Sequence, residues 1–271
     1  MLPIETLDTA LVTGASTGIG AAYADRLAAR GHPLVLVARN REALDALAAR
    51  LSREHHVKVD VLPADLASPT QRAEVERRLR EDDSIGMLVN NAGTSVAGGL
   101  AEARLDDVEA MIALNVVAPT RLVGALLPRL LARGRGSIVN IASALAIAPE
   151  LSIGAYAATK SYLLTYTLSL HKEVNERGVR VQAVLPGITR TAIWEHAGKD
   201  VNSFPEHMIM EVDEMVDAAL AGYDMGELVT VPSLPDGKEW SAYDEARRRL
   251  FPELSRSQAA DRYKSDIPED A

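Results

Sequence analysis

The feature that most constrains this chain is a regular alternation of short apolar runs with longer amphipathic segments. Apolar runs of strand length occupy residues 10–12, 34–38, 57–62, 85–89, 137–141 and 179–185. Segments of helix length follow them at 20–30, 41–54, 68–80, 105–131, 155–177 and 212–223. Six such strand–helix units, with a last strand at 227–231, predict an α/β fold. The expected architecture is a Rossmann-type doubly wound parallel sheet of about seven strands with helices on both faces.

The pattern also predicts how the chain is divided. We expect a single domain over residues 1–271. Within it, residues 192–225 are predicted to form a substrate lid, since Trp194, Phe204 and Met208 give this segment an apolar character. Ordinary packing of a helix pair is the alternative. Residues 232–271 are predicted to be a C-terminal extension. Pro119 and Pro128 predict a bend in the long helix at 105–131.

Composition excludes several classes of function. The 271 residues include no cysteine, which removes disulfides, thiolate metal sites, thiol nucleophiles and iron–sulfur clusters. A net charge of −9 and an aromatic content of 4% argue against a nucleic-acid partner. Prolines and arginines interrupt the most apolar stretch, 116–131, so we expect no membrane span. The acidic N-terminal residues do not resemble a signal peptide, and these features together predict a cytoplasmic protein without a metal site.

A glycine-rich turn connects the first predicted strand to the first helix. Residues 13–20 read Thr-Gly-Ala-Ser-Thr-Gly-Ile-Gly. A glycine at 14 permits a tight turn, and glycines at 18 and 20 let the backbone approach a ligand closely. The helix that follows offers free N–H groups to a pyrophosphate. The predicted cofactor-binding residues of this turn are Gly14, Ser16, Thr17, Gly18, Ile19 and Gly20, and a purely structural corner is the alternative.

Acid–base chemistry is indicated by Tyr156 and Lys160. Their spacing of four places both on one face of a helix. A nearby ammonium favours the phenolate and lowers the pKa of the phenol, so Tyr156 is predicted to be the general acid and base and Lys160 to tune it. Ser143 follows the fifth strand, where it is expected to stabilise charge on a carbonyl oxygen. A surface contact is the alternative for an isolated Tyr–Lys pair.

The Gly-x-x-x-Gly-x-Gly spacing, the Asn-Asn-Ala-Gly motif at 90–93 and the order of these motifs resemble the short-chain dehydrogenase/reductase family, in its common single-domain branch. The resemblance extends over about residues 8–231. It implies that Asn115 holds a water that relays protons to Lys160, and that Lys160 also contacts the nicotinamide ribose. It further implies that the cofactor is contacted by Asp65, Leu66, Asn91, Ala92, Gly93, Pro186, Gly187 and Thr191, with Thr189 as a second possibility for the threonine.

The second strand indicates which cofactor is bound. An acid at its end would bind the ribose hydroxyls of NAD and repel a 2′-phosphate, but that position holds Ala38, and Arg39 follows. A guanidinium can bind a phosphate with two hydrogen bonds. The missing acid and the arginine that follows together favour NADP as the cofactor, with NAD possible. The alternative is that Arg39 is an ordinary solvated arginine.

These observations predict an NAD(P)-dependent oxidoreductase that interconverts a ketone or aldehyde and an alcohol by hydride transfer. An NADP-binding redox-sensing protein without turnover is a second hypothesis. Within the enzyme class, a 3-oxoacyl thioester, a steroid-like ketone and a sugar ketone all stay open as substrates. The expected partner is an apolar small molecule, and the resemblance implies a homodimer or homotetramer through the helices at 105–131 and 155–177.

Overall fold

A computed structural model, which describes residues 7–152 and 154–264, contains one sheet of seven parallel strands. The order across the sheet is β3-β2-β1-β4-β5-β6-β7, which confirms the Rossmann-type doubly wound fold. The strands are β1 Thr9–Thr13, β2 Leu34–Ala38, β3 Val59–Pro63, β4 Ile85–Asn90, β5 Gly136–Ile141, β6 Val179–Val184 and β7 Val229–Thr230.

Helices cover both faces of this sheet. Those packed against the strands are α1 Gly18–Ala29, α2 Arg41–His55, α3 Pro69–Glu81, α5 Ala118–Arg133, α6 Tyr156–Val174 and α8 Val212–Met225. The other α-helices are α4 Leu105–Ile112, α7 Ile193–His196 and α9 Gly237–Arg248. Ala10 and Val12 of β1 contribute to one buried cluster with α1, α2 and α8. Leu11, between them, contributes to a second cluster with α3, α5 and α6. This alternation is the one expected of a strand that is buried on both faces.

The helix predicted at 105–131 changes its hydrogen-bond pattern part-way. A π-helical segment, Ala113–Val117, separates α4 from α5, and the Ala118 N–H bonds to the Ala113 carbonyl. Pro119 has no N–H to give the carbonyl of residue 115, which accounts for the loss of α-helical pairing there. Pro128, in contrast, lies inside α5 without ending it.

The same helical stretch meets the length and composition expected of a membrane span. Among the described residues, it is the one such stretch, from Leu105 to Arg133. Leu122, Leu126 and Leu130 on it are fully buried in the cluster with α3 and α6. These contacts are those of a core helix in a globular protein.

The chain divides into two compact units, one up to Pro232 and one from Ser233. The single domain over residues 1–271 stays a prediction, and the extension predicted at 232–271 begins one residue before the second unit. The second unit contains α9, whose Asp236 caps the helix by accepting from the Lys238 N–H at 2.9 Å. Residues 1–6 and 265–271 of the predicted ranges lie outside the described part of the chain.

Candidate active site

The glycine turn at the end of β1 is shaped by close backbone contacts. Gly14 and Gly18 have φ values of +64° and +54°, a left-handed conformation that favours glycine. A Cβ at Gly14 would lie 2.8 Å from Nδ2 of Asn91. A Cβ at Gly20 would overlap the Gly14 carbonyl oxygen. Larger residues at Gly14 and Gly20 would therefore push the start of α1 away from the sheet.

The N-terminus of α1 is open to an anion. In the described structure its N-cap, Thr17, makes no side-chain capping hydrogen bond, and its first turn holds no acidic residue. Thr17 is exposed, and Ser16 and Ile19 are partly exposed. The first N–H groups of α1 can therefore bind a pyrophosphate, and the cradle fits a dinucleotide.

Thr13 and Asn91 join the end of β1 to the end of β4. The Thr13 hydroxyl accepts from the N–H groups of Asn91 and Ala92 at 2.9 and 3.0 Å. In return, Nδ2 of Asn91 donates to the Thr13 carbonyl at 2.9 Å and to the Gly14 carbonyl at 3.2 Å. The structure thus places Asn91 and Ala92 directly against the glycine turn. The contribution of Thr13 was not predicted from the sequence.

A second polar network lies deeper in the sheet. Nδ2 of Asn90 donates to Oδ1 of Asn140 at 2.9 Å, and Nδ2 of Asn140 donates to the Thr167 hydroxyl at 2.9 Å. These buried bonds link β4, β5 and α6. The sequence gives a usable signal for Asn140, since a polar residue interrupts an otherwise apolar strand.

Tyr156 and Lys160 lie on the same face of α6, as the spacing predicts. Tyr156 is the first residue of this helix, and Nζ of Lys160 lies 5.7 Å from the centre of its ring. Lys160 is 4% exposed, and its Nζ donates to the Ile141 carbonyl at 2.9 Å. Burial lowers the pKa of Lys160 to about 8.

The pKa of the Tyr156 phenol differs from the expectation. Burial raises it above its usual value, because the phenolate would lose its hydration. The sequence predicted a lowered pKa from the neighbouring ammonium. In the structure Nζ of Lys160 donates its hydrogen bond to the Ile141 carbonyl and not to the phenol. In this state the loss of water around the phenol therefore has the larger effect on its pKa.

Asn115 is 1% exposed and uses its side chain within the protein. Its Oδ1 accepts from the Thr94 N–H at 2.9 Å, and its Nδ2 donates to the Thr94 carbonyl at 2.9 Å and to the Thr159 hydroxyl at 3.0 Å. A Cβ at Gly93 would lie 3.3 Å from Oδ1 of Asn115 and 3.4 Å from Nζ of Lys160. Gly93, Asn115 and Lys160 therefore meet at one point.

Ser143 follows β5 and is partly exposed. Its hydroxyl accepts from the Leu145 N–H at 3.2 Å, which leaves the hydroxyl hydrogen available to a substrate. The Ala144 N–H donates to the Pro186 carbonyl at 2.8 Å. This bond places the serine loop beside the turn formed by Pro186 and Gly187.

The two predicted threonines after this turn have different surroundings. Thr191 approaches the glycine turn, since a Cβ at Gly18 would lie 3.5 Å from its Cγ2. Thr189 is 4% exposed and forms a bridge with Met210. Thr191 is therefore the better placed of the two to contact a cofactor on the glycine turn.

The remaining predicted cofactor residues follow β2 and β3 at the same edge of the sheet. Arg39 is exposed directly after β2. The Ala15 N–H of the glycine turn donates to the Val37 carbonyl at 3.2 Å, which brings the end of β2 to the turn. Asp65 accepts from the Ala67 N–H at 3.0 Å, and Leu66 is buried.

The predicted lid has two parts. Arg190 donates to Glu211 at 2.8 Å, to Asn202 at 2.7 Å and to Glu206 at 3.0 Å, and so joins three points of the segment 192–211. Residues 212–225 form α8, whose Met215 and Val216 are fully buried in the core. The prediction of a lid over 192–225 is therefore too long, because α8 packs on the sheet. Arg190 was not predicted from the sequence.

One group of potential metal ligands lies outside this site. Within the described residues, Asp25, Glu54 and His55 bring their ligand atoms within 4.8 Å of one another. Arg50 donates to Asp25 at 2.7 Å and to Glu54 at 2.8 Å. The guanidinium already occupies the place of a cation, so this group is an ion-pair network.

A family model described as short chain dehydrogenase matches residues 8–202. The chain belongs to the short-chain dehydrogenase/reductase family. This finding confirms the resemblance stated from the glycine spacing and the Asn-Asn-Ala-Gly motif.

Solved structures of other members are similar over nearly the whole chain. A short-chain dehydrogenase from Sphingobium yanoikuyae in complex with NADPH is 52% identical, with a TM-score of 0.92 over 95% of this chain and 100% of that one. A bulky-bulky ketone specific alcohol dehydrogenase from Comamonas testosteroni is 46% identical, with a TM-score of 0.88 over 95% of this chain and 99% of that one.

A curated relative is longer than the region that it shares with this chain. The very-long-chain 3-oxoacyl-CoA reductase of Anas platyrhynchos is 34% identical over 184 residues, which are 65% of this chain and 58% of that protein. The matched region thus spans less than two thirds of this relative.

Proposed function

We propose that the protein is an NADP-dependent oxidoreductase that interconverts a ketone or aldehyde and an alcohol. The observation that carries the proposal is the placement of Tyr156 and Lys160, one helical turn apart, at the sheet edge that holds the glycine turn. The NADPH complex of the 52% identical relative supports the choice of cofactor.

The chain's residues fit a dinucleotide phosphate. The glycine turn and the open start of α1 would hold the pyrophosphate, and Arg39 would bind the 2′-phosphate. Asp65 and Leu66 would contact the adenine, Asn91, Ala92 and Gly93 would line the middle of the groove, and Pro186, Gly187, Thr189 and Thr191 would face the carboxamide. When bound, NADPH supplies the hydride. NAD is the weaker alternative.

The catalytic side chains would act on the carbonyl oxygen. Tyr156 gives its proton to the developing alkoxide, and a phenol is protonated at neutral pH before the reaction begins. Ser143 donates a hydrogen bond to the same oxygen. Lys160 stabilises the phenolate that is left and donates to the nicotinamide ribose. A water that restores the proton would bind the backbone carbonyl of Asn115, because both side-chain amide hydrogens of Asn115 are already used.

An apolar cleft beside Tyr156 supports an apolar substrate. Its lining is almost entirely aliphatic and includes Val96, Leu100, Ala103, Val108, Met111 and Ala155. In this structure the cleft has room for little more than one water-sized group, so the support for a bulky ketone comes from the name of the Comamonas relative. The 3-oxoacyl-CoA relative favours a 3-oxoacyl thioester as the second candidate.

Assembly and location are part of the proposal. Leu105 and Ile112 on α4 and Val117 before α5 are exposed apolar residues, which supports pairing of these helices in a homodimer or homotetramer. A cytoplasmic location and the lack of a nucleic-acid partner stay predictions from the sequence.

Replacement of Tyr156 tests the proposal. We expect Tyr156→Phe to lower kcat for ketone reduction by at least about 100-fold, because the proton donor is lost, while NADPH still binds. Consumption of NADPH should be followed with a bulky ketone, a 3-oxoacyl thioester and a sugar ketone. Tyr162→Phe is the control, since its hydroxyl is paired with Thr120 at 2.8 Å on another side of α6. Full activity of Tyr156→Phe would refute the proposed acid.

A further inference from the structure

Thr159 is a buried hydroxyl between the two proposed catalytic residues of α6. It is 3% exposed and directly precedes Lys160. Its hydroxyl donates to the Tyr156 carbonyl at 2.7 Å and accepts from Nδ2 of Asn115 at 3.0 Å. One side chain therefore connects the first turn of α6 to the π-helical segment.

The connection continues to the backbone beside the Lys160 ammonium. Asn115 holds both the N–H and the carbonyl of Thr94 at 2.9 Å. Gly93, the preceding residue, is close enough to Nζ of Lys160 that a Cβ there would lie 3.4 Å away. The ammonium itself donates to the Ile141 carbonyl at 2.9 Å.

These contacts link Tyr156 to the backbone that passes beside Lys160. Hydrogen bonds run from the Tyr156 carbonyl through the Thr159 hydroxyl and the Asn115 amide to the backbone at Thr94, and the neighbouring Gly93 lies close to Nζ of Lys160. Every donor along the path is used, and a buried amide hydrogen that loses its acceptor is costly. Removal of the Thr159 hydroxyl would leave one Asn115 hydrogen unpaired and would loosen the hold on Thr94.

We propose that Thr159 is a positioning residue, which fixes the backbone at residues 93–94 against Lys160 through Asn115. It touches neither substrate nor cofactor in this assignment. The inference deepens the proposed function, since it assumes that Lys160 and Tyr156 act on the reaction.

A second threonine of α6 provides a matched control. Thr167 is fully buried, donates to the Leu163 carbonyl at 2.7 Å and accepts from Nδ2 of Asn140 at 2.9 Å. Its bonds have the same form as those of Thr159, but they lead to Asn140 and Asn90 in the sheet and reach neither Asn115 nor Thr94. Thr159→Val and Thr167→Val therefore remove the same chemistry at two places.

The experiment compares these variants with Thr159→Ser in the full chain. We expect Thr159→Val to lower kcat by about tenfold or more with less than about a threefold change in the KM for the ketone. Thr159→Ser should restore kcat to within about threefold, because it keeps the hydroxyl. Thr167→Val should lose thermal stability to a similar degree and keep its kcat. A kcat of Thr159→Val equal to that of Thr167→Val would overturn the proposal.

Amide hydrogen exchange gives a readout that does not need activity. We expect the Thr94 N–H to exchange about tenfold faster in Thr159→Val than in Thr159→Ser or Thr167→Val, since its acceptor Asn115 is loosened. If Thr159→Val does not fold, Thr159→Ala is measured in its place. Unchanged exchange at Thr94 would contradict the proposal. Faster exchange of the Thr94 N–H in Thr159→Val, together with full activity of Tyr156→Phe, would support the role of Thr159 and reject Tyr156 as the acid.

Discussion

Burial of the Lys160 ammonium shapes the chemistry that individual residues can perform. Its pKa falls to about 8 because burial penalises the charged form. The one polar contact that the structure gives Nζ is the Ile141 carbonyl, within the described residues. A ribose hydroxyl would add a hydrogen-bond acceptor for the ammonium. Protonation of Lys160 and binding of the cofactor should therefore strengthen each other.

This coupling predicts a pH dependence of cofactor binding. The charged form of Lys160 is lost as the pH rises through about 8, so the Kd for NADPH should increase above that pH. The increase should approach about tenfold per pH unit when one proton is linked to binding. Fluorescence titrations of NADPH between pH 7 and 9.5 measure it.

Two lysines of α6 separate this effect from general charge. Lys160→Met should bind NADPH more weakly, and its Kd should not rise further above pH 8. Lys172→Met, in the last turn of α6, should show the same pH dependence of Kd as the wild type. A wild-type Kd that is flat over this range would contradict the coupling.

Arg39 makes the choice between the two dinucleotides testable. A guanidinium hydrogen bond to a phosphate contributes roughly 1.5–3 kcal/mol, so Arg39→Ala should raise the Kd for NADPH by about 10- to 100-fold. The Kd for NADH should change by less than about threefold, since it has no 2′-phosphate. Arg53→Ala, at an exposed position of α2, is the control. An equal rise in the Kd for NADPH and for NADH would show that Arg39 does not bind the 2′-phosphate.

At the scale of elements, a buried carboxylate joins α3 to α5. Glu76 of α3 is 3% exposed, and its Oε2 accepts from Arg121 of α5 at 2.8 Å. Arg72 and Arg80 lie within 3.7 and 3.5 Å of the same carboxylate. The hydrogen bond from Arg121 holds the pKa of Glu76 below its usual range.

The lowered pKa of Glu76 predicts an acid-dependent contribution to stability. A depressed carboxyl pKa stabilises the fold above the pKa of the unfolded chain, and the contribution is lost as the pH falls through the folded value. Glu76→Gln should lower the Tm at pH 7 by about 2–5 °C and by less at pH 3.5. Calorimetry at the two pH values measures it.

Glu81→Gln is the matched control on the same helix. Glu81 pairs with Arg77 at 3.6 Å, and both side chains are 64% exposed. Exposed pairs contribute little, so its Tm should change by less than about 1 °C. A Tm of Glu76→Gln equal to that of the control at pH 7 would reject the link between α3 and α5.

Strands were the elements that the sequence predicted best. The run at 34–38 matches β2 at both ends, because a strand buried on both faces is continuously apolar. The π-helical segment was not predicted, since proline indicates a break but not the form that the helix takes. The lid was drawn too long because α8 has apolar residues that pack on the sheet, and the sequence does not say which surface they face.

The site was predictable where a motif fixes backbone geometry. The tight turn expected at Gly14 brings Gly14 and Gly20 close together, and Asn91 lies beside both. The partners Thr13, Thr159 and Arg190 were not found, because single polar residues carry no spacing signal. The sequence indicated the effect of the Lys160 ammonium on the pKa of Tyr156 but not the opposing effect of burial, since burial depends on the packing of the whole edge of the sheet.

At the scale of the whole molecule, both hydrophobic clusters are drawn from residues before Pro232. The second compact unit, from Ser233, contains its own short helix and exposes Leu250, Phe251 and Leu254. The strands of the sheet and the residues proposed to bind the cofactor are all in the first unit.

Truncation after Pro232 should leave a folded chain. We expect residues 1–232 to keep the helical circular dichroism spectrum and to bind NADPH within about threefold of the full chain, since both cores are retained. Thermal unfolding and NADPH titration of the two chains measure this. Loss of cooperative unfolding would show that the second unit is needed for the core.

The central claim is that the Tyr156 hydroxyl acts beside a nicotinamide bound at the edge of this sheet. A crystal structure with NADPH and a ketone tests it most directly. We expect the hydroxyls of Tyr156 and Ser143 within hydrogen-bond distance of the carbonyl oxygen, with the ketone carbon against the nicotinamide and Nζ of Lys160 on the ribose. A nicotinamide ring bound away from Tyr156, or a carbonyl oxygen out of reach of its hydroxyl, would contradict the account.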